Sequence, residues 1–307
     1  MEKQEFERLL QEKTIQVENI LKDWLPREEG YGKTVAEAMN YSLLAGGKRL
    51  RPLLMLETYR LLGGKGKEIE PFMAAIEMIH TYSLVHDDLP AMDNDTYRRG
   101  RKTTWSVYGE GMGILAGDAL LNYAFETALE AAFPAQEGTS EPGKLRAVMR
   151  ALQIMARKSG IYGMIGGQTA DLEAEGCSEP LSQERLLFIH EHKTAALIQA
   201  AMMAGAILAE ASKEQIEAVE KCACNIGIAF QIQDDILDVV GDSRELGKMV
   251  GSDAMNKKQT YVTARGLEKA REDVERLSSE ALYILQELPG DRGFLEDLIR
   301  DLIHRRK

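Results

Sequence analysis

The chain has 307 residues, of which 44% are hydrophobic and 28% are charged, so it can bury a large core and does not have the composition of a disordered protein. Its 38 basic and 49 acidic residues give a formal net charge of −11, which argues against a general nucleic-acid-binding protein. This charge does not exclude phosphorylated ligands, because carboxylates can bind them through a bridging Mg²⁺.

Hydrophobic residues recur at helical spacing along nearly the whole chain, and no segment shows the alternation of a strand. The N-terminal segment predicts one amphipathic helix or two short ones. Glycine pairs at Gly46-Gly47 and Gly63-Gly64 end the next two helices, and Pro71 opens a helix that runs towards Asp87. Further helices are predicted at 112–133, 144–165, 182–209, 213–240, 258–288 and 293–304. We therefore predict an all-α chain of ten or so helices in a single domain.

The cysteines and the apolar segments favour an intracellular protein. Cys177, Cys222 and Cys224 are too few for a disulfide framework in a chain of this length. Cys222 and Cys224 point to different faces of a helix, which favours buried thiols over a metal site. The N-terminus does not resemble a signal peptide, and the longest apolar stretch, Ala195 to Ala209, is shorter than the ~20 residues of a membrane span. We expect a soluble, cytoplasmic protein.

Two aspartate clusters each follow a strongly apolar stretch, where solvated charges are not expected. The first contains Asp87, Asp88 and Asp93, and the second contains Asp234, Asp235 and Asp238. Asp234 and Asp238 are four residues apart and share one helical face. A bend at Pro90 would bring Asp93 back towards Asp87. One such cluster is typical of an acidic surface, but two together indicate a site for Mg²⁺, which relieves the repulsion between carboxylates.

Two basic clusters have the residue types that bind phosphate. Arg98, Arg99, Arg101 and Lys102 follow the first aspartate cluster, and Lys48, Arg49 and Arg51 lie at a helix start, where backbone N–H groups also favour anions. The second cluster lacks the spacing of a nucleotide-binding P-loop. His80 lies about two helical turns before Asp87 and is expected to face the same cavity. His86 beside Asp87 would also suit an HD-type metal phosphohydrolase, which leaves the other clusters unexplained.

Six motifs follow one another along the chain: GGKRLRP at 46–52, HDDLPAMDND at 86–95, RRG at 98–100, GGQTAD at 166–171, HKT at 192–194 and FQIQDDILDVVGD at 230–242. Together they resemble the bacterial farnesyl diphosphate synthase branch of the trans-isoprenyl diphosphate synthases. The resemblance implies a helical bundle around a central apolar cavity and a homodimer. It also implies Mg²⁺-dependent condensation of isopentenyl diphosphate with dimethylallyl or geranyl diphosphate, with three Mg²⁺ ions per site and Mn²⁺ as an alternative ion.

The resemblance also implies a role for each site residue. The metal ligands would be Asp87, Asp88, Asp93, Asp234, Asp235 and Asp238. The allylic diphosphate would be bound by Arg98, Lys193, Lys248 and Lys258, and isopentenyl diphosphate by Lys48, Arg51, His80 and Arg99. The catalytic set would be Lys193, Thr194 and Gln231 on the allylic side, with Gln168 and Asp171 supporting the developing cation. The sequence Lys257-Lys258-Gln259-Thr260 departs from the family's Gly-Lys-Ser-Thr at this point.

Chain length is expected to depend on the helix that precedes the first aspartate cluster, because in this family the product grows along it. Tyr82 lies roughly 7–8 Å below Asp87 at ~1.5 Å per residue, so its ring would block elongation, whereas Ser83 would not. This favours farnesyl diphosphate, a C15 product, with C10 and C20 as alternatives. If Tyr82 only packs in the core, this inference fails.

Two other functions account for part of these motifs. A class I terpene cyclase would not need the cationic group formed by Lys48, Arg51 and Arg99, because it uses no second substrate. A silent regulatory subunit of a heteromeric synthase would be expected to lack one of the aspartate clusters.

Overall fold

The computed structural model describes residues 1–133, 142–175, 180–240 and 259–303. The α-helices within these ranges are α1 Lys3–Asp23, α2 Lys33–Leu43, α3 Leu50–Leu61, α4 Ile69–Asp87, α5 Thr104–Tyr108, α6 Glu110–Leu129, α7 Pro142–Ser159, α8 Met164–Glu175, α9 Gln183–Ile189, α10 Ala196–Leu208, α11 Lys213–Val240, α12 Tyr261–Arg265, α13 Leu267–Gln286 and α14 Gly293–Ile303. A 3₁₀ turn, Glu130–Ala132, extends α6, and a π-helical segment, His190–Ala195, joins α9 to α10. The predicted all-α fold is confirmed.

Helices α4 and α10 lie in the centre of the hydrophobic core. Helix α4 packs against α3 and α6, and α10 packs against α3, α7 and α11. Every residue of α10 is buried, which accounts for a sequence that is apolar on all sides rather than along one stripe. No helix in the described ranges combines the length and the apolar character that crossing a membrane requires.

Three predicted element assignments were wrong. The helix expected at 144–165 ends at Ser159, and a separate helix, α8, begins at Met164 after a glycine-containing turn. The helix expected at 258–288 is split at Gly266, whose φ of 80° lies in the left-handed region that glycine favours. A two-residue antiparallel hairpin, β1 Tyr97–Arg98 and β2 Arg101–Lys102, forms where no strand was expected. Such short pairings leave no period-2 pattern in a sequence.

Close packing around the π-helical segment positions Lys193 and Thr194. A Cβ atom on Gly167 of α8 would lie 2.1 Å from the backbone N of Lys193. A Cβ atom on Gly227 of α11 would lie 2.3 Å from Cβ of Ala195. These two glycines therefore allow α8 and α11 to approach the segment from both sides. A π-helical turn within a longer helix is common at functional sites.

Candidate active site

The first aspartate cluster lies where α4 ends. Asp87 is the last residue of α4, and Asp88 follows it as the C-cap. The chain then bends at Pro90, and the backbone N–H of Asp93 donates to the carbonyl of Asp87 at 2.8 Å. The predicted return of the chain towards Asp87 is confirmed. Proline causes the bend because it cannot continue the helical hydrogen-bond ladder.

Asp87 and Asp88 face different cavities. Asp87 lines a cavity of about 710 Å³, where Gln168 Nε2 donates to its Oδ1 at 3.0 Å. Asp88 lines a small cavity of about 40 Å³, where Arg98 Nε donates to its Oδ1 at 2.7 Å. Successive residues on a helix point about 100° apart, which separates the two carboxylates. The two residues are therefore not equivalent as metal ligands.

The surroundings of the first cluster disfavour its negative charge. Burial raises the pKa of Asp87 to about 6, and the charges of Asp93 and Asp171 act in the same direction. Burial also raises the pKa of Asp88 to about 6, although the adjacent Arg98 opposes this. A divalent cation would restore the charged form of such carboxylates.

The donor set at Asp87 suits magnesium. Mg²⁺ in proteins is typically held by one or two carboxylates together with substrate phosphates, and Asp87 and Asp93 offer hard oxygen ligands of this kind. Among the residues that the structure describes, no group of three His, Cys, Asp or Glu side chains forms a metal site by itself.

The second aspartate cluster lies near the end of α11. Asp234 and Asp235 line a second cavity, of about 180 Å³. Asp235 is only 6% exposed, and its Oδ2 accepts the backbone N–H of Tyr261 at 2.8 Å and lies 3.6 Å from His190 Nε2. Asp238 is 3% exposed. The contacts of Asp235 hold the start of α12 against α11, and both Asp234 and Asp235 line the cavity.

The two cavities share the wall formed by Lys193 and Thr194. Lys193 Nζ lies 2.5 Å from Asp171 Oδ2, and Thr194 Oγ1 donates to Gln231 Oε1 at 3.0 Å. Gln168 lines the larger cavity and Asp171 the smaller one. The five residues predicted as catalytic are therefore brought together between the two aspartate clusters.

Arg51 and His80 meet on the wall of the larger cavity, with Arg99 close by. Burial lowers the pKa of Arg51 to about 10, assisted by Arg99 and opposed by Glu77. Burial and the neighbouring guanidinium groups, Arg51 first, hold the pKa of His80 well below 6.5, so its imidazole is neutral. The buried Nε of Arg51 has no hydrogen-bond partner among the described residues. An anion bound here would compensate this repulsion between cations.

The glycines before α3 allow Arg99 to approach this cluster. The Arg99 guanidinium donates to the carbonyl of Gly46, and a Cβ atom on Gly47 would lie 2.5 Å from one of its terminal nitrogens. Lys48 is exposed, whereas Arg49 is only 2% exposed. Arg49 forms ion pairs with Glu18 at 2.5 Å and Glu77 at 2.8 Å. Arg49 thus holds the loop before α3 in place through buried ion pairs. The residues next to it in the sequence do not indicate this role.

Tyr82 both packs in the core and lines the larger cavity, beside Ser83. Its ring is 5% exposed and meets the ring of His86 edge-on, with centroids 5.8 Å apart at 84°. Core packing and a position on the cavity wall, the two alternatives that the sequence left open for Tyr82, are thus compatible.

Two predicted site residues and one cysteine lie outside the described residues. Lys248, Lys258 and Cys177 are not among the described residues. Cys222 is buried, and burial raises the pKa of its thiol to about 12. Cys224 is partly buried, and burial raises its pKa to about 11. The prediction of buried thiols is confirmed for Cys222, whereas Cys224 is only partly buried.

Comparison with known proteins places this site in a family. Residues 32–287 match the family model "Polyprenyl synthetase". The farnesyl diphosphate synthase of Geobacillus stearothermophilus is 46% identical over 266 residues, which cover 87% of this chain and 86% of that protein. Large subunit 1 of the chloroplastic heterodimeric geranylgeranyl pyrophosphate synthase of Arabidopsis thaliana is 47% identical over 248 residues, which cover 80% of this chain and 65% of that protein.

A solved structure supports the same assignment. The geranyltransferase of Helicobacter pylori, crystallised with magnesium and isoprenyl diphosphate, superimposes with a TM-score of 0.79 at 33% identity, covering 96% of this chain and 95% of that chain. The relatives include both farnesyl and geranylgeranyl diphosphate synthases. The chain belongs to the polyprenyl synthetase family and is a prenyltransferase of the trans-prenyl diphosphate synthase type.

Proposed function

We propose that the chain makes (2E,6E)-farnesyl diphosphate by two successive head-to-tail condensations of isopentenyl diphosphate, first with dimethylallyl and then with geranyl diphosphate. One observation carries this proposal. A single cavity of about 710 Å³ has Asp87 on its wall and the Tyr82 ring about one and a half helical turns further along α4. An allylic diphosphate anchored at Asp87 would point its tail towards that ring.

The leaving diphosphate would be held between the two aspartate clusters. Asp87 and Asp93 from one side and Asp234 and Asp238 from the other would hold Mg²⁺. When bound, the metal supplies Lewis-acid stabilisation of the departing diphosphate charge. Lys193, on the wall common to both cavities, would add a fixed positive charge to the same group. Because Asp88 pairs with Arg98 and Asp235 with the Tyr261 N–H, their contacts favour positioning roles.

Isopentenyl diphosphate would bind to the cationic group formed by Lys48, Arg51, His80 and Arg99. The neutral imidazole of His80 can donate a hydrogen bond without adding to the repulsion between Arg51 and Arg99. Arginine is suited to this task because its planar guanidinium group donates two hydrogen bonds to adjacent phosphate oxygens. This second anion site favours a condensing enzyme over a terpene cyclase, which takes a single diphosphate.

The allylic cation would form in the larger cavity, beside Thr194, Gln231 and Gln168. Water must be excluded there, and the apolar side chains of α6, α8 and α10 that line the cavity serve this purpose. The isopentenyl double bond then attacks the cation, and the intermediate loses a proton. The departing diphosphate is the base that we propose for this step.

The first test incubates the purified protein with Mg²⁺, radiolabelled isopentenyl diphosphate and dimethylallyl diphosphate, then separates the dephosphorylated products by chain length. We expect label in a C15 alcohol, and none when Mg²⁺ is replaced by EDTA. A C20 main product would overturn the farnesyl assignment and favour a geranylgeranyl diphosphate synthase. Absence of any elongated product would overturn the proposed activity.

The chain-length assignment is tested at two adjacent residues. Tyr82→Ala removes the ring that would stop the tail and should make C20 or longer material the main product. Ser83→Ala changes a neighbouring residue on the same cavity wall and should leave C15 as the main product. Equal product patterns in the two variants would contradict the role of Tyr82.

We also propose that the protein forms a homodimer. Helix α6 carries exposed apolar side chains, Ile114 and Leu115, which a partner subunit would cover. Multi-angle light scattering should give twice the mass of one chain, and a monomer would contradict the proposal.

A further inference from the structure

The end of α4 is held against α6 by a close contact between a histidine ring and a glycine. A Cβ atom on Gly117 would lie 2.1 Å from Nε2 and 2.3 Å from Cδ2 of His86, distances that real Cβ atoms do not show. The ring of His86 therefore occupies the space that any other residue at 117 would fill. His86 Nε2 donates to the carbonyl of Ile114 at 3.0 Å and lies 3.8 Å from Asp118 Oδ1.

His86 connects this contact to Tyr82. The two residues are four apart on α4, so their side chains share one face of the helix, and both line the larger cavity. The Tyr82 ring meets the His86 ring edge-on. The Tyr82 hydroxyl is buried and has no hydrogen-bond partner among the described residues, so packing against neighbours such as His86 fixes the ring.

We propose that His86, seated against Gly117, is a positioning residue that sets product length by holding the Tyr82 ring in place. The inference rests on the proposed function, because it assigns a support to the residue that ends the tail cavity. The aromatic stop is then an edge-on pair of rings braced by α6, rather than one side chain on α4.

Two substitutions should change product length in opposite directions. His86→Ala removes the ring beside Tyr82, which can then move into the vacated space and deepen the cavity. We expect the ratio of C20 to C15 products to rise about tenfold, the scale of discrimination by apolar pocket contacts. Gly117→Ala forces the His86 ring away from α6 and into the cavity, so that C10 product should accumulate at the expense of C15.

Matched variants separate this role from a general loss of structure. His86→Phe keeps an aromatic ring and should keep C15 as the main product, even though it loses the hydrogen bond to the Ile114 carbonyl. Gly111→Ala lies on the same helix with nothing within 4 Å of the added Cβ, and should leave activity and product length unchanged. Product ratios are read at equal total conversion, and circular dichroism confirms the fold of each variant.

Tyr82→Ala in the same assay distinguishes the possible failures. If Tyr82→Ala lengthens the product while His86→Ala and Gly117→Ala retain the wild-type ratio, the role of His86 is refuted and the farnesyl assignment stands. If Tyr82→Ala itself has no effect on product length, the chain-length part of the proposed function fails first. A lengthened product in His86→Ala together with a shortened one in Gly117→Ala would support the role of the edge-on ring pair.

Discussion

Both aspartate clusters begin with an adjacent pair, but the third aspartate follows at a different spacing and the surroundings in the fold differ. The first lies where a helix ends, at a bend imposed by Pro90, and its first two carboxylates face different cavities. The second lies within the uninterrupted helix α11, where the middle aspartate, Asp235, is tied to the backbone N–H of Tyr261. In each cluster the first aspartate lines a cavity bounded by Lys193 and Thr194, and in the second cluster Asp235 lines it as well.

This difference shows that a sequence motif specifies which side chains are present but not which role each of them has. Asp88 and Asp235 occupy the same position in their motifs, and each accepts a hydrogen bond from a partner nearby in the fold. For Asp88 the donor is Arg98 in the hairpin, and for Asp235 it is the start of α12. The residue preceding each one, Asp87 or Asp234, lines a cavity bounded by Lys193 and Thr194. We infer that in both clusters the second aspartate holds the surrounding chain.

The largest expected effect is on turnover when a cavity-facing carboxylate is removed. Asp87→Ala and Asp234→Ala should each reduce kcat by about 10³-fold or more, because each removes part of the electrostatic stabilisation of the leaving diphosphate. The helical circular-dichroism signal should be retained in both. Steady-state assays with isopentenyl and geranyl diphosphate measure the effect, and loss of the fold in either variant would mean that the aspartate is structural.

The next largest expected effect is on the free energy of unfolding, and it differs between Asp234 and Asp235 of the second cluster. Asp235→Ala leaves the backbone N–H of Tyr261 without its acceptor in a buried place, which should lower the free energy of unfolding by about 1–3 kcal/mol. Asp234→Ala leaves this hydrogen bond intact, so it should lower the free energy of unfolding by less than Asp235→Ala does, with a difference of about 1 kcal/mol or more. Urea titrations of the metal-free proteins give both values.

Equal losses of unfolding free energy in Asp234→Ala and Asp235→Ala would contradict the proposal that Asp235 holds the surrounding chain. A pronounced loss in Asp234→Ala alone would assign that role to Asp234 instead.

The sequence predicted the fold class and the bend after the first cluster because these depend on local patterns. Helical periodicity identified α4 and α11, and proline chemistry predicted the bend that returns Asp93 to Asp87. Charge and residue type marked Arg51 and Arg99 as members of two separate basic clusters, and only the family resemblance grouped them with His80.

Features that depend on close approach between distant segments could not be predicted in the same way. Arg49 differs in role from Lys48 and Arg51 because it forms ion pairs with Glu18 and Glu77. These two residues lie far from Arg49 in the sequence. The contact between Gly117 and His86 likewise depends on the packing of α6 against α4. A glycine within a helix indicates close packing by another segment, but it does not identify the residue that makes the contact.

The smallest expected effect is the pH dependence of stability that arises at Asp87. Its pKa is raised from 3.8 to about 6 in the folded protein, so the folded state binds a proton more tightly than the unfolded state. This contribution to stability is fully present below pH 3.8 and is lost as the pH rises through about 6. Asp87→Asn mimics the neutral form at every pH, so it should match the wild-type protein in acid and be the more stable one at neutral pH.

A difference of about 1–2 kcal/mol is expected above pH 7, because partial solvent exposure reduces the full value of the pKa shift. Thermal unfolding of both metal-free proteins between pH 4 and 8 measures this difference, within the range where both remain folded.

Adding Mg²⁺ with inorganic diphosphate should reverse the order of stability of the two proteins, since these ligands bind only where the carboxylate is present and stabilise the folded state by mass action. If Asp87→Asn were equally stabilised by the added ions, metal binding would not depend on Asp87. The first cluster would then lose its assigned role, whereas the structural role of Asp235 in the second would be unaffected.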